Sequence, residues 1–247
     1  MKLARVKTSS GWSYVAFKDG SWHEVDDIFA STLTYTGRDL GADPTFLTPT
    51  MPRVILGMAH NGTKDEIKRP PQAFQKSSHT ATAHLSPIFK DPGLGRMDVE
   101  CELVTVIKKR ARKLTLSNAE EHILGFTIGN DVTMPEQTPQ DNLLLQTKNG
   151  DGFTPLGPWI ETDLIHPDNR DIYVSVNGRK VVQTSTNQLA RGVLDQLVYI
   201  TSYMTLNPGD VVLGGSPTSM YPVEVGDVVE LEIEGLGILQ NPIESLP

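Results

Sequence analysis

The chain has 247 residues, 38% hydrophobic and 21% charged, with 21 glycines and 17 prolines; this is a turn-rich globular composition and leaves collagen, coiled coil and disorder as poor readings. Its 22 basic and 30 acidic side chains give a formal charge of −8, which argues against nucleic acid or an anionic membrane as a main partner. The lone cysteine, Cys101, rules out an intrachain disulfide and a cysteine-based zinc site, and no apolar run approaches the roughly 18 residues a membrane span needs.

The opening MKLARVKTSSGWSY lacks the apolar centre of a signal peptide, so a cytoplasmic location is expected. KLARVKT and WSYVAF read as strands around Ser9-Ser10-Gly11, and Asp19-Gly20 marks a hairpin turn. Residues 24–46 have room for one short helix. A proline seam at Pro44, Pro49 and Pro52 precedes the strand RVILGMAHN, and the domain boundary is placed there: a small N-terminal domain over 1–50 and a catalytic domain over 51–247. Residues 62–97 are polar, interrupted by Pro70-Pro71, Pro87 and Pro92, and show no period; a loop of that length in a compact domain is usually functional. VECELVTVI is strand-like, Ser117 to Glu120 has capping-box form, and FTIGNDVT is a strand running into a turn. A loop over 134–150 leads into DGFTPLGPWI. Asn177-Gly178 sits at the turn of the clearest hairpin, and Leu189, Val193, Leu197, Ile200 and Met204 recur at helical spacing. The last strands are VVLGGSP and VVELEIEG. Strands dominate, so the class is α+β, mostly β.

The chain carries no P-loop, GxGxxG, GxSxG or HExxH pattern, which removes nucleotide kinases, Rossmann oxidoreductases and common serine hydrolases. The basic run Lys108 to Lys113 reads as a solvated turn.

Glu100 and Glu102 stand two apart in VECELVTVI, so both point to one face and Cys101 to the other. The rest of that run is apolar or small on both faces, which makes it a buried strand with two carboxylates at its entry end. Two like charges in a dry place repel, and either one takes a proton or a cation joins them. Hard dications accept such oxygens. Glu230, Glu232 and Glu234 also alternate, but against Val229, Leu231 and Ile233, which is the pattern of one wet face. Asp131, closing the FTIGN strand, is the natural third ligand; an Asx turn is the competing reading.

In order and spacing, VECELVTVIKK, GFTIGNDVT, TKNGDGFTPLGPW, VNG, TLNPGDVVLGGSP and VGDVVELEIEGLGILQNPI resemble the fumarylacetoacetate hydrolase family over about residues 52–243. The resemblance implies a rolled mixed β-sheet with few helices, a homodimer, Mg²⁺ or Mn²⁺ as cofactor and a 2-oxo acid as substrate. It puts the metal on Glu100, Glu102 and Asp131, a catalytic lysine at Lys148, and a carboxylate-holding hydroxyl at Ser216, where many members have threonine. The family's lid motif places a histidine where Thr63 stands here; Glu66 is retained, and His60 lies three residues early. Met134-Pro135-Glu136 lacks the usual arginine, and that form is similar to the isomerase and decarboxylase enzymes of homoprotocatechuate breakdown.

A 2-oxo carboxylate can chelate such a metal, which then polarises the keto oxygen and stabilises an enolate. Decarboxylation needs only that electron sink. Isomerisation also needs a base, for which Glu66 and His60 are the candidates, and C–C hydrolysis needs an activated water. The first expectation is therefore decarboxylation or isomerisation of an unsaturated 2-oxo dicarboxylate. The second is C–C hydrolysis of an acylpyruvate, and the third a non-catalytic relative that binds metal and 2-oxo acid. Lys76 in the polar loop and Gln137 after Asp131 are candidate substrate contacts, with Gln140 beside Gln137; His79 and His84 read first as surface-loop residues, with substrate contact as the alternative, and Trp159 reads as a core anchor.

Overall fold

The computed structural model describes residues 1–246. Eleven consecutive residues, Met97–Ile107, form a strand in which every side chain is buried. β-Branched and long aliphatic residues on both faces make it suitable only for the middle of a layered structure. One face, with Met97, Val99, Cys101 and Leu103, joins a core that includes Val174, Leu231, Ile233 and Leu239 of a second sheet. On the other, Val104 and Val106 pack with Ile55, Leu156, Ile160 and Val211.

The strand lies inside a large mixed sheet. On one side it pairs antiparallel with Ile123–Asn130, which pairs in turn with Thr154–Glu161. On the other it meets Val211–Leu213, followed by Ile55–Ala59 in parallel and by Gln72–Lys76 at the edge. The second sheet runs in the order Arg179–Ser185, Asp171–Val176, Val228–Ile233, Gly237–Ser245 and Ile88–Lys90. Its Val228–Ile233 strand buries Val229, Leu231 and Ile233 and leaves Glu232 exposed, as the alternation requires. Asn177 and Gly178 turn its hairpin with φ of 53° and 73°, the left-handed values an Asn-Gly turn supplies cheaply.

The segment before residue 50 forms two antiparallel pairings, Lys2–Thr8 with Gly11–Lys18 and the latter with Ser21–Val25. Lys2 and Leu3 register against Glu161 and Ile160, so these strands continue the large sheet. The short helix expected within 24–46 does not form. Tyr35–Asp39 is instead an edge strand on Ser21–Val25 with all five residues exposed. Threonines and Gly37 at a φ of 89° suit such an edge and disfavour a helix. The capped segment near residue 120 is a single 3₁₀ turn, Glu120–His122. The later helical period resolves as an α-helix, Val193–Tyr203. The polar stretch 62–97 holds the Lys64–Lys68 turn and the edge strand Gln72–Lys76. No helix among the described residues is long and apolar enough to cross a membrane. Trp159 packs edge-on against Phe46 and near Trp22, the core anchor expected of it.

Candidate metal centre

Strand register assembles the carboxylates. Glu102 stands opposite Gly129 and Cys101 opposite Asn130, which brings Asp131 alongside Glu100, where its N–H donates to the Glu100 carbonyl at 3.0 Å. Carboxylate oxygens of Glu100, Glu102 and Asp131 lie within 4.8 Å of one another, and all three residues are buried.

Two lysines close the cluster. Lys148, at the end of the one-turn helix Leu145–Lys148, donates from Nζ to Glu100 Oε1 at 3.0 Å, Asp131 Oδ2 at 2.6 Å and Thr133 Oγ1 at 2.5 Å. Lys76, from the edge strand, is wholly buried and donates to Asp131 Oδ1 at 2.5 Å and the Phe153 carbonyl at 2.9 Å. Thr133 Oγ1 donates to Glu100 Oε1 at 2.5 Å. Glu102 receives only the Gly215 N–H, at 2.7 Å.

The electrostatics are uneven. Burial works to raise the Asp131 carboxyl, but the ammonium groups of Lys148 and Lys76 overcome it and hold it below the ordinary range. Burial likewise opposes the charge on Lys148, and Asp131 and Glu100 reverse that and push its ammonium up. Lys76 is drawn down, by burial first and by Lys148 as well, with Asp131 only partly compensating. Glu102, with no cation of its own, is pushed well up by burial and by Asp131 and Glu100. Three carboxylates against two ammonium groups leave one negative charge too many for a dry site.

A divalent cation more than offsets that excess, leaving the site one positive charge in surplus. The donors are all carboxylate oxygens, they converge, and the least compensated of them, Glu102, faces the other two. The residues present fit a hard dication held by Glu100, Glu102 and Asp131.

The remaining candidates divide by place. Glu66 and His60 lie on the segment joining Ile55–Ala59 to Gln72–Lys76. Glu66 Oε2 accepts from the N–H groups of Gly62 at 2.6 Å and Thr63 at 3.2 Å, and its Oε1 is 3.7 Å from His60 Nδ1. A Cβ at Gly62 would overlap the Ser216 carbonyl, so this segment touches the turn whose Gly215 holds Glu102. Ser216 Oγ is 2.8 Å from Ser219 Oγ. Gln137 is turned to other partners: its Nε2 donates to the Leu94 carbonyl at 2.9 Å and its Oε1 accepts from Gln140. His84 Nδ1 accepts the Gln240 N–H. Two contributors escape the sequence reading. Thr133 was findable as the residue two beyond Asp131. Phe74, whose ring centroid lies 5.3 Å from Lys148 Nζ, was hidden in the aperiodic stretch.

The family model described as Fumarylacetoacetate (FAA) hydrolase C-terminal matches residues 56–244. The chain belongs to the fumarylacetoacetate hydrolase family. It is 31% identical to Protein Rv2993c of Mycobacterium tuberculosis over 261 aligned positions, gaps included, which cover 98% of both chains. It is 33% identical over 226 residues to the 4-hydroxyphenylacetate degradation bifunctional isomerase/decarboxylase of Salmonella dublin; the match takes in 89% of this chain and 51% of that protein. Its fold superimposes on the crystal structure of 5-carboxymethyl-2-hydroxymuconate delta-isomerase from Mycobacterium smegmatis with a TM-score of 0.94, at 31% identity and over the whole of both chains.

Proposed function

We propose that this member of the fumarylacetoacetate hydrolase family is a divalent-metal-dependent enzyme that takes an unsaturated 2-oxo dicarboxylate through an enolate, as isomerase, decarboxylase or both, in the breakdown of aromatic compounds. The observation that carries the reading is the buried trio Glu100, Glu102 and Asp131, left one charge short by Lys76 and Lys148. Likeness to an isomerase and to an isomerase/decarboxylase supports the reaction class.

Mg²⁺ or Mn²⁺ is the proposed ion; bound, it supplies Lewis-acid stabilisation of the charge that builds on the keto oxygen. The chain's own groups do the rest. Lys148 adds a permanent positive charge at the same place and is oriented by three oxygens, so it costs no reorganisation when charge develops. Lys76 donates to Asp131 and to the Phe153 carbonyl, and its part in this reading is to hold a ligand carboxylate, with substrate contact left to Lys148 and Ser216. Glu66 has one oxygen tied to two backbone N–H groups and is the proposed base for a proton shift.

The hydrolytic alternative needs a histidine that takes a proton from water. His60 Nδ1 lies 2.9 Å from Arg69 NH1, and an arginine only donates, so Nδ1 is the acceptor of that contact. Arg69 thereby occupies the nitrogen that a water-activating base would use, which favours the enolate chemistry over hydrolysis.

The test is purified protein with Mg²⁺ and either an unsaturated 2-oxo dicarboxylate or an acylpyruvate, followed for CO₂, diene absorbance and pyruvate. CO₂ release or a shift in diene absorbance is the expected result. Pyruvate as the sole product would replace this reading with the hydrolase.

A further inference from the structure

The segment 60–69 carries His60 and Glu66, yet few of its ties are to the sheet it interrupts. They run to residues 189–191, just before the Val193–Tyr203 helix. Lys64 Nζ donates to the Leu189 carbonyl at 2.7 Å, and the Ala190 N–H to the Asn61 carbonyl at 3.3 Å. Arg191 NH2 donates to the carbonyls of Ile67, at 3.4 Å, and Arg69. Those are the carbonyls at the end of the Lys64–Lys68 turn, where a cation is favoured.

Arg191 is 7% exposed, and among the described residues no carboxylate lies within ion-pair distance of it. Its NH1 is buried with no partner. A desolvated guanidinium with only carbonyls for company is unfavourable in itself, so packing alone does not account for it.

The backbone of the same residue faces the other way. The Arg191 N–H donates to Asn61 Oδ1 at 2.8 Å. The Arg191 carbonyl accepts from Asn61 Nδ2 at 3.1 Å and Gln196 Nε2 at 2.9 Å. Both amides also donate to the Gly214 carbonyl, at 2.7 Å and 3.3 Å. The next N–H, that of Gly215, holds Glu102 at 2.7 Å.

We propose that Arg191 is a positioning residue that latches residues 60–69 against the turn that orients Glu102: its side chain pins the segment that carries Glu66 and His60, while Asn61 ties that segment to the Gly214 carbonyl of the turn. The two ties are separable. The hydrogen bonds of the Arg191 side chain go only to the segment, whereas Asn61, within the segment, bonds the Arg191 backbone and the Gly214 carbonyl. The proposal rests on the metal-dependent reading of the site for its consequence in turnover, but not for its geometry.

The experiment therefore has a readout that needs no substrate. Hydrogen–deuterium exchange of residues 60–69 and Mn²⁺ affinity are measured on the full chain, on Arg191→Ala, Arg191→Lys and Asn61→Ala. In Arg191→Ala the amides of 62–69 should exchange at least tenfold faster while Mn²⁺ affinity stays within about twofold. Added guanidinium ion should restore protection. Arg191→Lys, which keeps the charge and one donor direction, should fall between the two and guards against a folding failure in the alanine variant. Asn61→Ala should speed exchange and weaken Mn²⁺ at least tenfold together. Unchanged exchange in Arg191→Ala, or a uniform loss of protection across the chain with no rescue by guanidinium, would overturn the latch. Should no form turn over any 2-oxo acid, the functional reading fails while the exchange data still decide this one.

Discussion

Replacing Glu102 by Gln should move metal affinity and metal-free stability in opposite directions. In the metal-free protein Glu102 is buried with two carboxylates within 4.8 Å and a single backbone N–H as partner. Ionised, each like charge at that distance costs about 3 kcal/mol at an effective dielectric of 20, partly offset by Lys148. The alternative is to keep a proton. Holding one at pH 7 on a group whose ordinary value is 4.5 costs about 3 kcal/mol, at 1.36 kcal/mol per unit. Gln has the same shape, still accepts from Gly215, and offers its NH₂ to the two neighbouring carboxylates. With imperfect geometry allowed for, the variant should be more stable without metal by about 1–2 kcal/mol, or roughly 2–8 °C in melting temperature for a chain of this size. It should also lose at least about 100-fold in Mg²⁺ affinity, more than outer partners of a metal site cost. Wild type at 100 times its dissociation constant gains about 2.7 kcal/mol from the ion, and the variant at the same concentration about 0.4. The order of melting temperatures in EDTA should therefore shrink or invert in Mg²⁺, read by thermal unfolding and by calorimetric titration of each protein. A Gln variant that melts lower in EDTA and binds Mg²⁺ as wild type does would refute the reasoning.

The pH dependence follows from the same group. Its folded value is raised, so its contribution is fully present below the unfolded 4.5 and is lost as pH climbs through the folded value. Metal-free protein should thus lose stability as pH rises above 4.5, while saturating Mg²⁺ removes that slope; denaturant midpoints across pH would check it. Asp131 has the opposite sign: its contribution is present above 3.8 and is lost as pH falls through its depressed folded value. Lys148→Met leaves Glu100 and Asp131 short of a buried partner and should destabilise the metal-free protein by about 3 kcal/mol. It should not weaken Mg²⁺, because the site becomes more negative, yet turnover should fall at least about 100-fold. Gly62→Ala drives a methyl into the Ser216 carbonyl, in the turn whose Gly215 N–H holds Glu102, and should lower turnover and weaken Mn²⁺ together; steady-state kinetics beside Mn²⁺ titration would check both.

Legibility in the sequence tracked whether a local rule was enough. The two-residue spacing of Glu100 and Glu102 in a run apolar on both faces announced a buried acidic pair, and the strand is buried throughout. The contrast with Glu230 to Glu234 was readable for the same reason. Asp131 was placed from the end of its strand, and register confirms that it stands beside Glu100. What stayed hidden depends on long-range pairing. Lys76 is a candidate substrate contact by sequence, but its bond to Asp131 comes only from the pairing of Ile55 with Lys76 on a five-residue edge strand in a stretch with no period. The N-terminal strands show their hairpins locally, but their continuation of the large sheet comes from Leu3 meeting Ile160, 157 positions on. Tyr35–Asp39, exposed on both faces, has no hydrophobic pattern to betray a strand at all. The tie from Arg191 to Asn61 spans 130 positions and has no local signal of any kind.

The enolate can be examined without knowing the natural substrate. Oxaloacetate in D₂O is incubated with the protein, and deuterium entering its C3 position is followed by nuclear magnetic resonance, with Mg²⁺, with Mn²⁺, with EDTA, and with Glu102→Gln. The account expects exchange well above the uncatalysed rate with either ion, abolished by EDTA and by the Gln substitution. Exchange that persists in EDTA, or none under any condition while Mg²⁺ is demonstrably bound, would contradict it.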